Sequence, residues 1–278
     1  PNNNQFSKES VSPKGNANIN LNLNSNNVTS ITPGFQKVMD NIVVNDLFAR
    51  AVPWGGNSKP ELEIRIGKIK SDFTGGVNSA DFHYILDKMK EEYGPVEEGG
   101  YEEFTQYDLS YPADILNADR DIRVTHKALP NGKIGAPIEV ITKNTLKLTK
   151  YGKKKLVVKT KHKYDFAVAV AVELQEMEPS EWAAIATQHK NKLLRVRKKK
   201  RSSFYTDGVR IDLTETTSGN TVDEANVQNA PRVYEVEIEF LNEAPLDPDS
   251  GYTVQAYMHD GLRYITKLLN DGPYQPPK

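Results

Sequence analysis

Apolar and polar side chains alternate with a period of two along eight segments of this chain, the pattern of β-strands with one buried face. The predicted strands are Glu61–Ile69, Glu103–Leu109, Asp121–Lys127, Ile138–Leu146, Leu156–Leu174, Leu194–Tyr205, Val209–Glu215 and Val233–Leu241. Turn residues follow or separate several of them, as at Asn131-Gly132 and Asp207-Gly208. The pattern therefore predicts a mainly β fold.

Four other segments place their apolar residues at helical spacing. They cover residues 33–50, 79–93, 180–192 and 252–269, and we expect these helices to pack against the apolar faces of the strands. The first 32 residues are rich in asparagine and have almost no periodic apolar positions, so we predict that they are disordered. The folded domain is predicted to cover residues 33–270, and residues 271–278 read as a linker.

Composition excludes a few functional classes. The 278 residues include 36 basic and 37 acidic side chains, so the net charge of −1 gives no reason to expect a general attraction to a polyanion. The absence of cysteine excludes disulfides, thiolate metal sites and cysteine nucleophiles. No apolar run approaches the roughly 18 residues of a membrane span, and no signal-peptide pattern opens the chain. We expect a soluble intracellular protein with no membrane partner.

Two of the predicted strands alternate glutamate with aliphatic residues. They contain the sequences Glu61-Leu62-Glu63-Ile64-Arg65 and Glu235-Val236-Glu237-Ile238-Glu239. Successive side chains of a strand point to opposite faces, so each strand gathers its carboxylates on one face. A row of like charges about 7 Å apart is costly unless a cation neutralises it. The pattern indicates a divalent metal ion between the two strands.

Several other strands carry basic side chains on one face and apolar side chains on the other. The polar faces are Lys159, Lys161 and Lys163 followed by Asp165, Ala167, Ala169, Ala171 and Glu173; Arg195, Arg197, Lys199, Arg201 and Ser203; Arg123, Thr125 and Lys127; and Arg210, Asp212 and Thr214. If the strands close into a barrel with the apolar faces outside, these charges line a tunnel that can hold a small ligand. Such a tunnel suits a polyanion bound through a metal, because arginine and lysine bind phosphate oxygens.

Each pattern alone also fits a less specific interpretation. Alternating charges are common on solvent-facing sheets, and the basic run at residues 197–201 is also typical of a nucleic-acid-binding surface. The combination of two glutamate rows with several basic strands favours the tunnel. The five histidines do not cluster, and the sequence has no nucleophile-elbow, Walker or dinucleotide-binding motif.

These segments resemble the triphosphate tunnel metalloenzymes, and within them the RNA 5′-triphosphatases of fungal and large-DNA-virus mRNA capping enzymes. The two glutamate strands look like the first and last signature strands of that family. Three further segments are similar to its other strands: Arg197-Lys198-Lys199-Lys200-Arg201-Ser202-Ser203, Arg210-Ile211-Asp212-Leu213-Thr214 and Asp121-Ile122-Arg123-Val124-Thr125. The resemblance spans residues 58–242. It implies a mainly β (α+β) fold, an eight-stranded antiparallel β-barrel called the triphosphate tunnel, with helices packed on the outside.

The resemblance also implies the residues of the site. Glu61, Glu63, Glu237 and Glu239 would hold Mg²⁺ or Mn²⁺, with Glu235 in the same row. The residues that would bind phosphate are Arg65, Arg123, Lys143, Lys161, Arg197, Lys199 and Arg201. Glu173 matches the glutamate that orients the attacking water, and Asp212 would reach the metal or a basic neighbour. Ala167 departs from the family, since relatives commonly carry arginine or lysine there; either this branch does without that contact or the chain carries a substitution.

The leading hypothesis is hydrolysis of the γ-phosphate of triphosphate-ended RNA, which leaves a diphosphate end for guanylylation in mRNA cap formation. NTPs or tripolyphosphate are further substrates to test. One alternative is a tunnel enzyme for inorganic tripolyphosphate or thiamine triphosphate, although Arg65 stands where those enzymes usually have lysine. Another is a non-catalytic barrel that binds RNA or polyphosphate. The resemblance implies fusion to, or partnership with, guanylyltransferase and methyltransferase modules. It implies a cytoplasmic location, in a viral factory or virion, for a viral protein and a nuclear location for a fungal one.

Overall fold

The computed structural model of the protein describes residues 58–94, 100–148, 154–160, 162–206, 208–241 and 254–270. The predicted disordered segment 1–32, the predicted helix 33–50 and the predicted linker 271–278 lie outside the described residues, as does Lys161. No helix within the described ranges is long and apolar enough to cross a membrane.

The strands form one antiparallel sheet that closes on itself. The described strands are β1 Ser58–Ile69, β2 Phe73–Gly75, β3 Glu102–Tyr111, β4 Ile122–Ala128, β5 Ile134–Thr145, β6 Lys155–Val158, β7 Asp165–Gln175, β8 Arg195–Tyr205, β9 Val209–Gly219 and β10 Val233–Phe240. Their order is β2-β1-β10-β9-β8-β3-β4-β5-β7-β6. A further pairing of β1 with β7, from Ser58 opposite Leu174 to Gly67 opposite Asp165, closes eight strands into a barrel. The predicted eight-stranded antiparallel barrel is confirmed, with β2 and β6 outside the closed ring.

Helices lie on the outside of the barrel, as predicted. In the described ranges they are α1 Ser79–Tyr93, α2 Pro179–His189, α3 Val222–Ala225 and α4 Val254–Asn270, with short 3-10 turns at Ala113–Ile115 and Lys190–Lys192. Helix α1 begins after Asn78, whose side chain accepts a hydrogen bond from the backbone N–H of Asp81, and it ends at Gly94 with a positive φ of 77°. These local signals explain why the sequence placed both ends of α1 correctly.

The apolar faces of the strands pack beneath these helices in two clusters. The larger one joins β1, β9 and β10 to α1 and α4, and its fully buried members include Leu62, Ile64, Ile85, Met89, Ile238 and Leu262. In the smaller one, Trp182 of α2 packs edge-on against Tyr111 of β3, with ring centroids 5.0 Å apart. Because the apolar faces are buried outside the ring, the charged faces of the same strands point into the barrel.

The prediction of a single strand over Leu156–Leu174 is wrong. The segment forms two antiparallel strands, β6 and β7, which pair with each other. Asp165 stabilises the reversal between them, because its carboxylate accepts hydrogen bonds of 2.9 Å from the backbone N–H groups of Thr160 and Ile69. A period-two pattern can continue on both sides of such a reversal, so alternation alone does not reveal the turn.

The reversal also removes two lysines from the predicted tunnel face. Lys159 lies in the connection between β6 and β7 rather than in a strand. Lys163 forms an ion pair of 2.7 Å with Asp81, which is buried at the start of α1. Lys163 therefore helps to fix α1 on the barrel and does not face the tunnel with the alanines that follow it.

Candidate active site

A cavity of about 1250 Å³ runs through the barrel and is lined mainly by charged side chains. Every predicted site residue that the structure describes lines this cavity: Glu61, Glu63, Arg65, Arg123, Lys143, Glu173, Arg197, Lys199, Arg201, Asp212, Glu235, Glu237 and Glu239. The barrel thus brings together residues that lie up to 178 positions apart in the sequence. Their chemical roles remain predictions.

The glutamates form one wall of the tunnel on the paired strands β1 and β10. Glu63 lies opposite Glu239 in the register of these strands, and Arg65 lies opposite Glu237. Glu61 and Glu63 are nearly buried, at 8% and 7% exposure. Carboxylates with so little access to water need cations close by.

Basic side chains supply that compensation. Arg65 bridges two carboxylates, with its Nε 3.1 Å from Glu63 Oε1 and 3.0 Å from Glu237 Oε1. Lys143 of β5 places its Nζ 2.5 Å from Glu61 Oε2. The remaining glutamates of the wall are held by Arg197, 2.8 Å from Glu235, and by Arg210, which donates to Glu239.

Unequal compensation separates the pKa values of these carboxyl groups. Burial raises the pKa of Glu63 to about 7, and Arg65 and Lys143 offset only part of this effect. Burial also acts on Glu237, but the basic neighbours, Arg65 foremost, outweigh it and lower the pKa of Glu237 to about 2. Burial acts on Glu61 as well, but Lys143 and Arg123 together outweigh it and lower the pKa of that group. Glu63 is thus the least compensated of the three, and an added cation would favour its ionised form.

A second wall is basic and comes from β8, which only β9 separates from β10 in the ring. Its alternation directs Arg197, Lys199 and Arg201 into the tunnel and leaves Lys200 exposed outside. Lys199 is held by Asp108 of β3 at 2.5 Å. Burial lowers the pKa of Lys199, Asp108 opposes this, and the nearby arginines add to the lowering. A ring of crowded cations of this kind favours a polyanionic ligand.

Glu173 lies on β7, beside a third group of basic residues. The register places it opposite Lys59 of β1 and Lys143 of β5. Arg123 of β4 donates a 2.9 Å hydrogen bond from Nη2 to Glu173 Oε1 and contacts Glu139 at 3.3 Å. These contacts orient the Glu173 carboxylate within the tunnel.

The neighbouring face of β7 has almost no side-chain bulk. Ala171, Ala169 and Ala167 lie opposite Glu61, Glu63 and Arg65 in the pairing with β1. Ala167 and Ala171 are buried. The alanines leave space beside the glutamate wall, which longer side chains on β7 would occupy.

Several charged side chains in or beside the cavity were not among the predicted site residues, including Arg210 in its lining and Asp108 next to Lys199. Arg210 donates to both Asp212 and Glu239, and its alternation with Asp212 on a basic strand was a usable signal. Asp108 accepts a hydrogen bond from Thr125 and pairs with Lys199, yet in the sequence it is one acidic residue in an ordinary amphipathic strand. Only the pairing of β3 between β4 and β8 reveals its role.

Comparison with known proteins places this tunnel in a family. Residues 68–274, which are 207 of the 278 residues, match the family model of the mRNA triphosphatases, described as the mRNA capping enzyme, beta chain. The chain belongs to this family. The predicted function, that of an RNA 5′-triphosphatase in mRNA capping, is thereby confirmed.

Solved structures of RNA triphosphatases share the fold. The S. pombe Pct1 RNA triphosphatase matches with a TM-score of 0.57 and 16% identity, over 84% of this chain and 93% of that one. Pct1 in complex with the Spt5 CTD gives 0.54 and 15%, over 84% and 95%. The RNA triphosphatase domain of a trifunctional mimivirus mRNA capping enzyme gives 0.50 and 16%, over 81% and 95%. At such low identity these matches show the fold alone. No curated protein matches the chain by sequence.

The donor set of this capping-enzyme triphosphatase suits a hard divalent cation. The wall of β1 and β10 offers five carboxylates and no sulfur or imidazole, which is the chemistry that Mg²⁺ and Mn²⁺ prefer. Among the described residues, no three acidic or histidine side chains are yet grouped closely enough to hold a metal ion. Arg65 and Lys143 occupy the carboxylate oxygens instead. A divalent cation bound to these glutamates would compete with Arg65 and Lys143 for the same carboxylate oxygens.

Proposed function

We propose that the tunnel hydrolyses the bond between the β- and γ-phosphates of triphosphate-ended RNA with the help of Mg²⁺ or Mn²⁺. One observation carries the proposal: the glutamates of β1 and β10 and the basic side chains of β8 line a single cavity. The glutamates would repel a free polyanion, and the basic wall would repel a free metal ion. A complex of a divalent cation with a triphosphate compensates both walls at once.

Glu61, Glu63, Glu237 and Glu239 would hold the metal ion, with Glu235 in the same row. The bound ion supplies Lewis-acid stabilisation of charge on the phosphoryl oxygens. Glu235 accepts hydrogen bonds from both Arg197 and Thr216 at 2.8 Å. That engagement supports a role for Glu235 as an anchor of the basic wall.

Arg65, Lys143, Lys199 and Arg201 would bind the phosphate oxygens and offset the charge that develops during transfer. Each already lies in the tunnel, held by a carboxylate that a bound triphosphate would replace in part. Arg123, Arg197 and Lys161 complete the proposed set. Ala167 lies opposite Arg65 and carries no charge, so Arg65 would supply the phosphate contact in this part of the tunnel.

Glu173 would orient the attacking water and accept its proton as the water oxygen bonds to the γ-phosphorus. The bond from the γ-phosphorus to the bridging oxygen breaks, and its electron pair stays on the diphosphate end of the RNA. The products are orthophosphate and diphosphate-ended RNA. Arg123 supports Glu173 in this role, and Asp212 supports Arg201 through a contact of 3.1 Å.

Tripolyphosphate and NTPs are a second candidate class of substrate for the same site. The charged side chains of the two walls suit phosphate groups and would not distinguish one base from another. A non-catalytic polyphosphate-binding barrel is less well supported, because it has no use for nearly buried glutamates.

We also propose that the chain works with guanylyltransferase and methyltransferase modules that use the diphosphate end. The mimivirus structure comes from a trifunctional capping enzyme, which supports such a link. Pct1 was solved with the Spt5 CTD, a second kind of partner. Location in a viral factory, a virion or a nucleus stays a prediction.

The test compares phosphate release from triphosphate-ended RNA, ATP and tripolyphosphate in Mg²⁺, Mn²⁺ or EDTA. We expect release that depends on the metal and is fastest with RNA. Glu63→Ala and Glu237→Ala should each lower the rate by about 100-fold or more, whereas Glu91→Ala, at an exposed position on α1, should not. A tunnel variant that stays within about threefold of the parent would show that the metal assignment is wrong. Salt-sensitive RNA binding without turnover would instead support the non-catalytic barrel.

A further inference from the structure

Strands β2 and β6 lie outside the closed ring and lengthen the same end of the tunnel. Strand β2 pairs with the last residues of β1, where Gly67 lies opposite Gly75. Strand β6 pairs with the first half of β7, where Lys155 lies opposite Ala169. Gly67 also lies opposite Asp165, the first residue of β7, so both extra strands are at one end. We call this end the β2–β6 mouth.

Phe73 of β2 turns its ring onto the tunnel face of β1. Gly67 follows Glu61, Glu63 and Arg65 on the face that points into the tunnel. A Cβ atom at Gly67 would lie 2.1 Å from the backbone oxygen of Thr74 and 2.9 Å from Cζ of Phe73, so the β2 backbone and the Phe73 ring together cover this position. Phe73 is half-buried and lines the cavity. The wall therefore changes from charged to aromatic as it reaches the mouth.

Two lysines accompany the ring. Lys155 of β6 reaches across, with its Nζ 5.6 Å from the centroid of the Phe73 ring and 3.8 Å from the carboxylate of Asp72. Lys154 is exposed beside it and lines the same cavity. An accessible aromatic ring beside lysines is the combination with which proteins bind single-stranded RNA, because a base stacks on the ring and the lysines contact phosphates.

The direction of the proposed reaction places the RNA at the β2–β6 mouth. This part of the argument rests on the proposed function. Glu173 lies opposite Lys59, near the start of β1 and therefore toward the other end of the tunnel. In an in-line displacement, the attacking water and the leaving oxygen are on opposite sides of the γ-phosphorus. A water held by Glu173 therefore leaves the diphosphate, and the RNA attached to it, pointing toward the β2–β6 mouth.

We propose that the β2–β6 mouth is the subsite for the first nucleotide of the RNA. Phe73 stacks on the first base, and Lys154 and Lys155 bind the phosphates that follow it. Asp72 holds Lys155 in the absence of RNA. The subsite gives the enzyme a preference for triphosphate-ended RNA over tripolyphosphate, which has no base to stack.

The test uses Phe73→Leu, which keeps apolar bulk over Gly67 but removes the ring, and Phe73→Tyr, which keeps the ring. Phe73→Leu should raise the KM for a short triphosphate-ended RNA about tenfold, while kcat/KM for tripolyphosphate stays within about twofold. Phe73→Tyr should behave like the parent. Lys155→Gln should raise the same KM and reduce its dependence on salt. The matched control is Lys200→Gln, because Lys200 is an exposed lysine on the outer face of β8 and does not line the cavity.

Equal losses with RNA and tripolyphosphate would overturn the subsite, because the ring would then serve only the fold or the phosphate site. Unchanged kinetics with both substrates would also overturn it. Fluorescence anisotropy of a 3′-labelled triphosphate RNA, with tripolyphosphate as competitor, gives the same comparison without turnover. A parent protein that binds RNA through Phe73 but hydrolyses nothing would refute the proposed function and keep the subsite. If the protein is active but Phe73→Leu leaves its RNA affinity unchanged, the subsite is refuted and the proposed function is kept.

Discussion

Glu63 and Glu237 lie on paired strands of one wall, yet we expect their neutral isosteres to change stability in opposite directions. Burial raises the pKa of Glu63 from 4.5 to about 7 in the folded protein. The stability that this shift contributes is present below pH 4.5 and is lost as the pH rises through 7. At pH 8 the ionised group therefore costs about 3 kcal/mol, since each tenfold change in proton affinity is worth about 1.4 kcal/mol. Glu63→Gln removes this cost and keeps an oxygen acceptor for Arg65.

The pKa of Glu237 shifts in the opposite direction, so its effect on stability has the opposite sign. Basic neighbours outweigh burial and lower its pKa from 4.5 to about 2. The stability that this shift contributes is present above pH 4.5 and is lost as the pH falls from 4.5 toward 2. Glu237→Gln should therefore destabilise the protein by about 3 kcal/mol at pH 8. Nearly the whole of this loss should persist at pH 5, where the gain from Glu63→Gln falls to about 1 kcal/mol or less.

Urea unfolding in EDTA at pH 8 and pH 5 measures both effects, with Glu91→Gln on the exposed face of α1 as the control. We expect Glu63→Gln to be more stable than the parent at pH 8 and Glu237→Gln to be less stable, while both lose triphosphatase activity. If the two substitutions shift the free energy of unfolding in the same direction at pH 8, the account of the charges in this wall is refuted. A change in Glu91→Gln as large as theirs would have the same consequence.

The remaining predictions concern catalysis and packing. Glu173→Gln should lower kcat by about 100-fold or more and leave the KM for triphosphate RNA within about threefold, as measured by phosphate release. Gly67→Ala should lower the Tm, because its Cβ would lie 2.1 Å from the backbone oxygen of Thr74; an unchanged Tm would contradict the packing of β2 on β1. Trp182→Ala should cost about 3–5 kcal/mol of stability in urea unfolding with kcat retained in the folded fraction. Mn²⁺ at about 100 times its Kd should stabilise the parent by about 2.7 kcal/mol but not Glu63→Ala.

The faces of individual strands were predictable because they depend on local alternation. Glu61 and Glu63 share a face whatever the strand pairs with, and the same holds for Arg197, Lys199 and Arg201. Their placement in one cavity follows from burying the apolar faces outside the ring. For the same reason the sequence indicated an acidic wall and a basic wall before any pairing was known.

The register and the closure of the ring were not predictable from alternation. The reversal at Asp165 depends on a carboxylate that accepts a hydrogen bond from β1, nearly 100 residues earlier, so the local pattern continued across it. Asp108 became part of the site only because β3 pairs with β8. The Phe73 ring reaches the tunnel only because Gly67 leaves room for it on a paired strand.

The sequence alone specifies which side chains share a face, because the two-residue period of a strand is a property of the backbone. It thereby determined that acidic and basic rows would line the interior of a barrel. Which cation compensates which carboxylate depends on the folded barrel, because those contacts join strands far apart in the chain. Those contacts fix the pKa of Glu63 above that of Glu237, and the ends of the tunnel follow from the pairing of β1 with β7.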